Sequence, residues 1–370
     1  MVMEVSFMSI RRLCLIFLLL CLFPACALAD VYTPGNGVCL KPDCFWEMPM
    51  NLRNTETVWA MLTSPMTVVK GDSRTQAYLL AEPKKGATRV GEVTCSTQGV
   101  HVLETLDNGW SRVECYSSSF SGSSVKAWNQ LVEGYIQTNK LQTIPTGQHY
   151  GLVVDKLDQR LYIYEDGELL DVLKVSTGFV TKGAPFNETR SGEYILNSRT
   201  GTFLSGNMTC DYGIRFNDGD LIHEVPHLLE ESGYKNYWYC ERYLGEKASH
   251  GCIRVQRLTT PKGINMKWLW DHLRGEMGTR IIIWEDWPGR TIDYPDDSTL
   301  IYYNPKGGQN YHASETCTGV KDQYLPLTAF TYGELDTEPY ASLTACEHCV
   351  PPRRFEEILA INMESIDRME

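Results

Sequence analysis

The sequence predicts a mostly β protein with three units: a small β-barrel, a larger β-rich unit with one main helix, and a small C-terminal unit. Three observations predict this architecture. Short runs of alternating apolar and polar residues, broken by turns, fill positions 55–145 and recur over 148–286. A segment after Pro261 has apolar residues at helical spacing. His312 and three Cys lie within 296–352 in a pattern typical of a metal site.

The length and charge of the chain limit the classes of function. Its 370 residues suit two or three domains. The formal net charge of −12 argues against a nucleic-acid partner, because such proteins carry a basic surface.

Residues 1–29 have the layout of a secretory signal peptide. Arg11-Arg12 precede an apolar run over 13–23, and small residues occupy two of the positions 27–29, where cleavage would occur. We therefore expect a periplasmic or other extracytoplasmic protein. An uncleaved anchor is one alternative, although the run is shorter than the roughly 20 residues of a spanning helix. A lipoprotein attached through Cys26 is a weaker one.

The first units of the mature chain follow in order. Residues 30–54, rich in Pro, Gly and Asn, are expected to form an irregular lead-in. Residues 55–145 are predicted to form a barrel of short strands, with a tight hairpin at Asn108-Gly109.

The remaining segments complete the chain. Residues 148–286 begin with strands joined by an Asp-Gly turn at 166–167 and end with a buried strand, TRIIIWED. The small Cys/His unit spans 296–352. Residues 353–370 form either a loose tail or a short amphipathic helix, whose apolar face would carry Phe355, Ile358, Leu359, Met363 and Ile366.

The cysteines outside the signal peptide divide into three sets. His312, Cys317, Cys346 and Cys349 offer one imidazole and three thiolates, which suits structural zinc; a disulfide-stabilised knob is the alternative. Loss of His312 or Cys349 is then expected to destabilise this unit only. Proximity in sequence favours three disulfides, Cys39–Cys44, Cys95–Cys115 and Cys210–Cys240. The odd count then favours one free thiol, which is consistent with Cys252, unless two of the three C-terminal cysteines form a disulfide.

The string Ser249-His250-Gly251-Cys252-Ile253-Arg254 carries the parts of a nucleophilic site. A Cys nucleophile needs a lowered pKa, a base and an oxyanion site. Gly251 permits a backbone shape that turns nearby N–H groups toward an oxyanion. His250 and Arg254 are expected to favour the thiolate, and an ion-pair role for Arg254 is the alternative.

His223 is the candidate base. It lies at the end of an apolar strand in DLIHEVP, a position from which its ring could reach the sulfur. An ordinary core histidine is the alternative.

The Ser-His-Gly-Cys-Ile-Arg string, with Ile222-His223 upstream, resembles the L,D-transpeptidase (YkuD) catalytic domain, as do YGLVVDKLDQRLYIYEDGE, VSTG and TRSGEY. The resemblance covers roughly 148–286. It implies that Cys252 attacks a tetrapeptide stem of peptidoglycan and forms a thioester, with His223 as the base. It also implies that His250 supports the thiolate and that the backbone N–H groups of Gly251 and Cys252 hold the oxyanion. Arg254 would bind the substrate carboxylate. The implied partners are stem peptides and the cell wall, and catalysis needs no cofactor.

GWSRVECY and EGYIQTNKL within 55–145 resemble a bacterial SH3-like domain, which implies a wall-binding module; a plain scaffold barrel is the alternative.

Two departures from the family pattern concern the second substrate. Glu224 stands where the family usually has Gly, and the spacing between the two His is longer. The extra segment holds Tyr237, Trp238 and Tyr239, which are candidate substrate-binding residues, and it is expected to form a lid tied down by Cys210–Cys240. Packing is the alternative for these aromatic residues.

Two other functions remain open. A carboxypeptidase or cross-link hydrolase would form the same thioester and resolve it with water. A non-catalytic wall-binding protein would not need the Cys252–His223 pair.

Overall fold

The structure is a computed structural model that describes residues 51–369. The predicted signal peptide and the Cys39–Cys44 pairing lie outside the described residues. Among residues 51–369, no helix has the length and apolar character needed to cross a membrane.

The described part of the chain is mostly β, as predicted. Its α-helices are α1 (Thr55–Thr63), α2 (Trp238–Glu241), α3 (Met266–His272) and α4 (Phe355–Asp367). The strands before the motif are β1 (Met66–Val69), β2 (Gln76–Leu80), β3 (Arg89–Thr94), β4 (His101–Thr105), β5 (Trp110–Tyr116), β6 (Leu131–Gln137), β7 (Leu141–Ile144), β8 (Tyr150–Asp155), β9 (Arg160–Glu165), β10 (Glu168–Ser176), β11 (Gly192–Ile195), β12 (Ser198–Ser205), β13 (Met208–Arg215), β14 (Leu221–Glu224), β15 (Leu228–Leu229) and β16 (Lys235–Asn236). The strands after it are β17 (Ile253–Val255), β18 (Arg280–Trp284), β19 (Leu300–Tyr303), β20 (Asn310–His312), β21 (Thr328–Thr331) and β22 (Thr344–Ala345).

The N-terminal unit has a five-stranded antiparallel sheet in the order β3-β2-β6-β5-β4, beside a β1-β7 pair. The turn predicted at Asn108-Gly109 joins β4 to β5, and Gly109 takes the positive φ of 84° that favours glycine there. The strands lie within the predicted segment, but its first nine residues, Thr55–Thr63, form helix α1 instead of a strand. The SH3-like barrel stays a prediction.

The central unit is a nine-stranded sheet in the order β11-β18-β8-β9-β10-β17-β14-β13-β12. Asp166 and Gly167, with φ of 48° and 94°, form the predicted turn between β9 and β10. The short strand β17 lies between β10, to which it is antiparallel, and β14, to which it is parallel. This order brings three distant segments of the chain together around the motif.

The N-terminal unit is joined to the central sheet by backbone hydrogen bonds. Gly99 N–H donates to Glu193 O and Ile195 N–H donates to Thr97 O, each at 2.9 Å. Leu62 of α1 is fully buried against Gly151 of β8, where a side chain on the glycine would collide with it. The two units therefore share a packed interface.

The C-terminal unit has a four-stranded sheet, β21-β19-β20-β22, with its own small core around Ile301, Tyr311 and Phe330. Arg353 Nε pairs with Asp158 Oδ1 of the central unit at 2.7 Å. An ion pair and a compact core thus accompany the metal-ligand residues.

Helix α4 confirms the helical alternative for the tail, but the predicted apolar face is not the buried one. Ile358 is buried, whereas the other four apolar residues of that face are 39–54% exposed. The buried face includes Asn362, whose side chain exchanges two hydrogen bonds with the backbone of Ile292. Pairing of this polar side chain with a loop therefore orients the helix.

The described cysteines are all free thiols, so the expected Cys95–Cys115 and Cys210–Cys240 disulfides are not formed in this structure. Cys95 follows β3 and Cys115 lies in β5, and the sheet order places two strands between them. Proximity in sequence does not indicate which side chains meet across a sheet.

Candidate active site

Cys252 lies at the end of a turn that leads directly into β17, and its side chain is partly exposed. The turn is held to the chain that follows β10: Ser249 N–H donates to Thr177 O, and Phe179 N–H donates to Ser249 O, each at 2.9 Å. The buried Ser249 hydroxyl also donates to the carbonyl of Cys252. The sequence-predicted Ser249 is therefore a residue that shapes the turn.

Gly251 is required by the shape of this turn. Its φ is +122°, a region that side-chain-bearing residues rarely adopt, and an added Cβ would lie 2.9 Å from Asp220 Oδ1. Its carbonyl accepts a 2.7 Å hydrogen bond from the fully buried Thr189 hydroxyl, which in turn accepts Gly178 N–H at 2.8 Å. Its own N–H donates to Ser249 Oγ at 3.2 Å.

His223, the predicted base, is buried in β14 with its ring held by the backbone. Nδ1 lies 2.7 Å from Glu224 O, and since a carbonyl only accepts, Nδ1 carries the proton and Nε2 is left as the basic nitrogen. Burial lowers the pKa of His223 to about 4. The imidazole is therefore neutral at ordinary pH.

The register of the sheet sets His223 beside the strand that follows Cys252. β14 and β17 are parallel, with His223 opposite Arg254. Paired residues of neighbouring strands share a face, so His223 and Arg254 point to the same side of the sheet, and Cys252 lies directly before β17. The Leu221 backbone N–H donates to the Cys252 sulfur.

The expected thiolate at Cys252 is not supported. Burial, followed by the nearby Asp220 carboxylate, raises the pKa of the Cys252 thiol to about 11, although Arg254 and Arg215 act in the opposite direction. The sequence shows the basic neighbours but not the desolvation, which depends on tertiary packing. The resting pair is therefore a neutral thiol and a neutral imidazole.

A buried ion pair that sequence reasoning missed lies next to Gly251 in the turn before β17. Arg190 Nη1 donates to both carboxylate oxygens of Asp220, at 2.9 and 2.7 Å. Arg190 also donates through Nε and Nη2 to Ser119 O of the N-terminal unit, at 3.1 and 3.0 Å. The N-terminal unit therefore contacts the residues that border Gly251.

The basic residues near the sulfur differ in their surroundings. His250 is exposed at the surface of the turn. Arg254 is half-buried, and in the described part of the chain no carboxylate lies within ion-pair distance of it. Arg215, a residue that the motif does not include, is a second half-buried cation near Cys252.

The predicted aromatic residues divide into two kinds. Tyr237 is half-buried, and its hydroxyl donates to Glu224 Oε2 at 3.0 Å. Trp238 and Tyr239 are 60% and 48% exposed, and the Arg242 guanidinium lies 4.0 Å from the Trp238 ring centre. Tyr237 is thus engaged within the protein, whereas the next two side chains are open to a ligand.

The four predicted metal ligands are buried together in the C-terminal unit. Their ligand atoms, from His312, Cys317, Cys346 and Cys349, all lie within 4.8 Å of one another. Cys317 Sγ is 3.6 Å from Cys346 Sγ, and Cys349 Sγ is 3.7 Å from His312 Nδ1. This cluster could hold a metal ion.

The family comparison agrees with the fold and the motif. Residues 149–283 match the model of the YkuD family, described as the L,D-transpeptidase catalytic domain. This match confirms the resemblance of the central unit to the L,D-transpeptidase catalytic domain. A comparison with curated proteins gave no match.

Solved structures similar to the chain include several L,D-transpeptidases. One from Xylanimonas cellulosilytica is 23% identical, with 38% of this chain and 64% of that chain covered and a TM-score of 0.26. One from Mycobacterium smegmatis is 16% identical over 60% and 91% of the two chains, with a TM-score of 0.29. A catalytic domain from E. faecium is 22% identical over 36% and 95%, with a TM-score of 0.23. At such TM-scores these similarities carry no argument of their own.

Proposed function

We propose that the protein is a peptidoglycan L,D-transpeptidase that works outside the cytoplasm, with Cys252 as its nucleophile. The observation that carries the proposal is the register that sets His223 opposite Arg254, two residues after Cys252, with His223 Nδ1 bonded to Glu224 O so that Nε2 is left to serve as base. The family match over 149–283 supports the reaction class.

The first half-reaction forms a thioester. Cys252 Sγ attacks the carbonyl carbon that precedes the terminal D-Ala of a tetrapeptide stem, and its proton passes to His223 Nε2. The C–N bond then breaks, and the His223 imidazolium returns that proton to the departing amine. Because thiol and imidazole are both neutral at rest, proton transfer accompanies attack.

The second half-reaction passes the acyl group to an amine. The acceptor amine attacks the thioester carbonyl, gives its proton to His223, and expels Cys252 as a thiolate that regains a proton from the imidazolium. The oxyanion of each step would be held by the backbone N–H of Cys252 and that of Gly251, whose resting hydrogen bond to Ser249 is long at 3.2 Å.

Two arginines and two aromatic residues are proposed to bind the substrate. Arg254 and Arg215 are half-buried cations near the sulfur and suit a stem-peptide carboxylate. Trp238 and Tyr239 offer exposed rings in the segment between His223 and Cys252. Tyr237 would act indirectly by holding Glu224.

The metal cluster has no part in this chemistry, and we propose a structural zinc ion as its occupant. Three thiolates and one imidazole form a closed set that leaves no position for substrate. A tetrahedron with metal–sulfur bonds of about 2.3 Å has sulfur–sulfur edges of about 3.8 Å, close to the observed 3.6 Å between Cys317 and Cys346. A disulfide would need about 2.05 Å between sulfurs.

The test is product analysis with a disaccharide-tetrapeptide as both donor and acceptor. The wild-type protein should give cross-linked dimers and free D-Ala, while Cys252→Ala gives neither and Cys210→Ala, which changes a neighbouring thiol, retains both. Tripeptide alone would favour the hydrolase. Equal turnover by Cys252→Ala would overturn the assignment.

A further inference from the structure

The loop over residues 256–260, which directly follows the catalytic strand β17, is held by the C-terminal unit. Its first residue, Gln256, is 1% exposed. The Gln256 backbone N–H donates to Lys174 O at 3.1 Å, and its side-chain oxygen accepts Lys174 N–H at 2.7 Å. Gln256 therefore fastens the end of β17 to β10, four residues beyond Cys252.

The same loop is bonded to residues that stand beside metal ligands. Gln256 Nε2 donates to His348 O at 3.3 Å, and His348 Nδ1 lies 3.1 Å from Thr259 O. Thr318 Oγ1 donates to the same Thr259 carbonyl at 2.9 Å. His348 lies between Cys346 and Cys349, and Thr318 follows Cys317.

Backbone N–H groups around the predicted metal ligands donate hydrogen bonds to the three cysteine sulfurs. Ala313 N–H donates to Cys349 Sγ at 3.2 Å, Gly319 N–H to Cys317 Sγ at 3.4 Å, and His348 N–H to Cys346 Sγ at 3.4 Å. N–H groups directed at sulfur stabilise thiolates and orient ligands around a metal. The positions of His348 and Thr318 therefore depend on the state of the cluster.

We propose that a zinc ion bound by His312, Cys317, Cys346 and Cys349 fixes the 256–260 loop and thereby positions the strand that follows Cys252. The inference rests on the proposed zinc site and, for its effect on rate, on the proposed transpeptidase function. His348 and Thr318 are positioning residues that act through Thr259 and Gln256. Loss of zinc then affects catalysis as well as the C-terminal unit, contrary to the expectation from sequence.

The test combines metal content, hydrogen exchange and acylation rate on the full chain under reducing conditions. Removal of zinc by a chelator should speed amide exchange over 253–260 by about tenfold, the effect of losing a hydrogen bond, and should slow acylation of Cys252. Re-addition of zinc should reverse both. Fast exchange confined to 300–350 would overturn the proposed link.

Matched threonine variants separate the link from the metal. Thr318→Val should retain one zinc per chain yet speed exchange over 253–260, whereas Thr316→Val, at an exposed position two residues earlier, should change neither. Unchanged exchange in Thr318→Val and in the matching His348→Phe variant would overturn the proposal.

Two further outcomes distinguish failure of the supporting proposals. A protein that neither contains nor takes up zinc would overturn both the zinc site and the link. Zinc-dependent exchange over 253–260 in a protein that never acylates Cys252 would support the link and contradict the transpeptidase function.

Discussion

Arg190 Nη1 bonds both oxygens of the Asp220 carboxylate, at 2.9 and 2.7 Å, beside the position that a side chain on Gly251 would occupy. Both residues are more than 90% buried. This pair joins the N-terminal unit, through Ser119 O, to the turn that holds Gly251 and Cys252.

Breaking the pair on one side should be more damaging than replacing it. Arg190→Met leaves the Asp220 charge buried and unpaired, and should lower the free energy of unfolding by about 3–5 kcal/mol. The double variant Arg190→Met/Asp220→Leu should be less destabilised than the sum of the single variants. Urea unfolding of the four proteins measures this, and additive losses would contradict the interaction.

Alkylation of Cys252 should depend steeply on pH. Iodoacetamide reacts with the thiolate, and the pKa of Cys252 is raised to about 11, so the rate should climb through pH 9 and 10. His223→Gln should leave this profile in place, because the His223 pKa of about 4 keeps the ring neutral across the range. Fast alkylation that is independent of pH from 6 to 9 would indicate a thiolate–imidazolium pair instead.

Gly251→Ala should abolish most acylation. The new Cβ would lie 2.9 Å from Asp220 Oδ1, and alanine rarely adopts the φ of +122° found at this position, so the turn must shift. A displacement of about 1 Å can lower the rate by about a hundredfold. Gly219→Ala is the control, because nothing lies within 4 Å of its added Cβ. Single-turnover acylation measures both variants, and similar rates would contradict the prediction that a side chain at Gly251 displaces the turn.

Thr189 is predicted to position the turn through its hydroxyl. Thr189→Val should lower kcat more than it changes KM and should destabilise the fold by about 1–3 kcal/mol, since Gly178 N–H loses its acceptor and Gly251 O its donor. Thr189→Ser should recover most of the rate. Kinetics with the donor stem measure the split, and a valine variant with wild-type kcat would contradict the role.

The sequence predicted those features that depend on local patterns. The Asn108-Gly109 and Asp166-Gly167 turns follow from residues that accept positive φ. The Ser249–Arg254 string and His223 can be recognised from the sequence alone.

The missed residues act through contacts between distant segments. Thr189, Arg190 and Asp220 lie 31 to 62 positions before Gly251 and reach the turn because β17 inserts between β10 and β14. The raised pKa of Cys252 could not be predicted for the same reason: the arginine charges are visible in the sequence, whereas the desolvation of the thiol is not.

The most direct measurement is localisation of the acyl adduct. The full chain is mixed with a disaccharide-tetrapeptide, quenched within one turnover, and digested for peptide mass spectrometry. The account predicts the tripeptide acyl mass on the peptide that holds Cys252, absent in Cys252→Ala and strongly reduced in His223→Ala. An adduct on Cys210 or Cys240, or turnover with no adduct on Cys252, would contradict it.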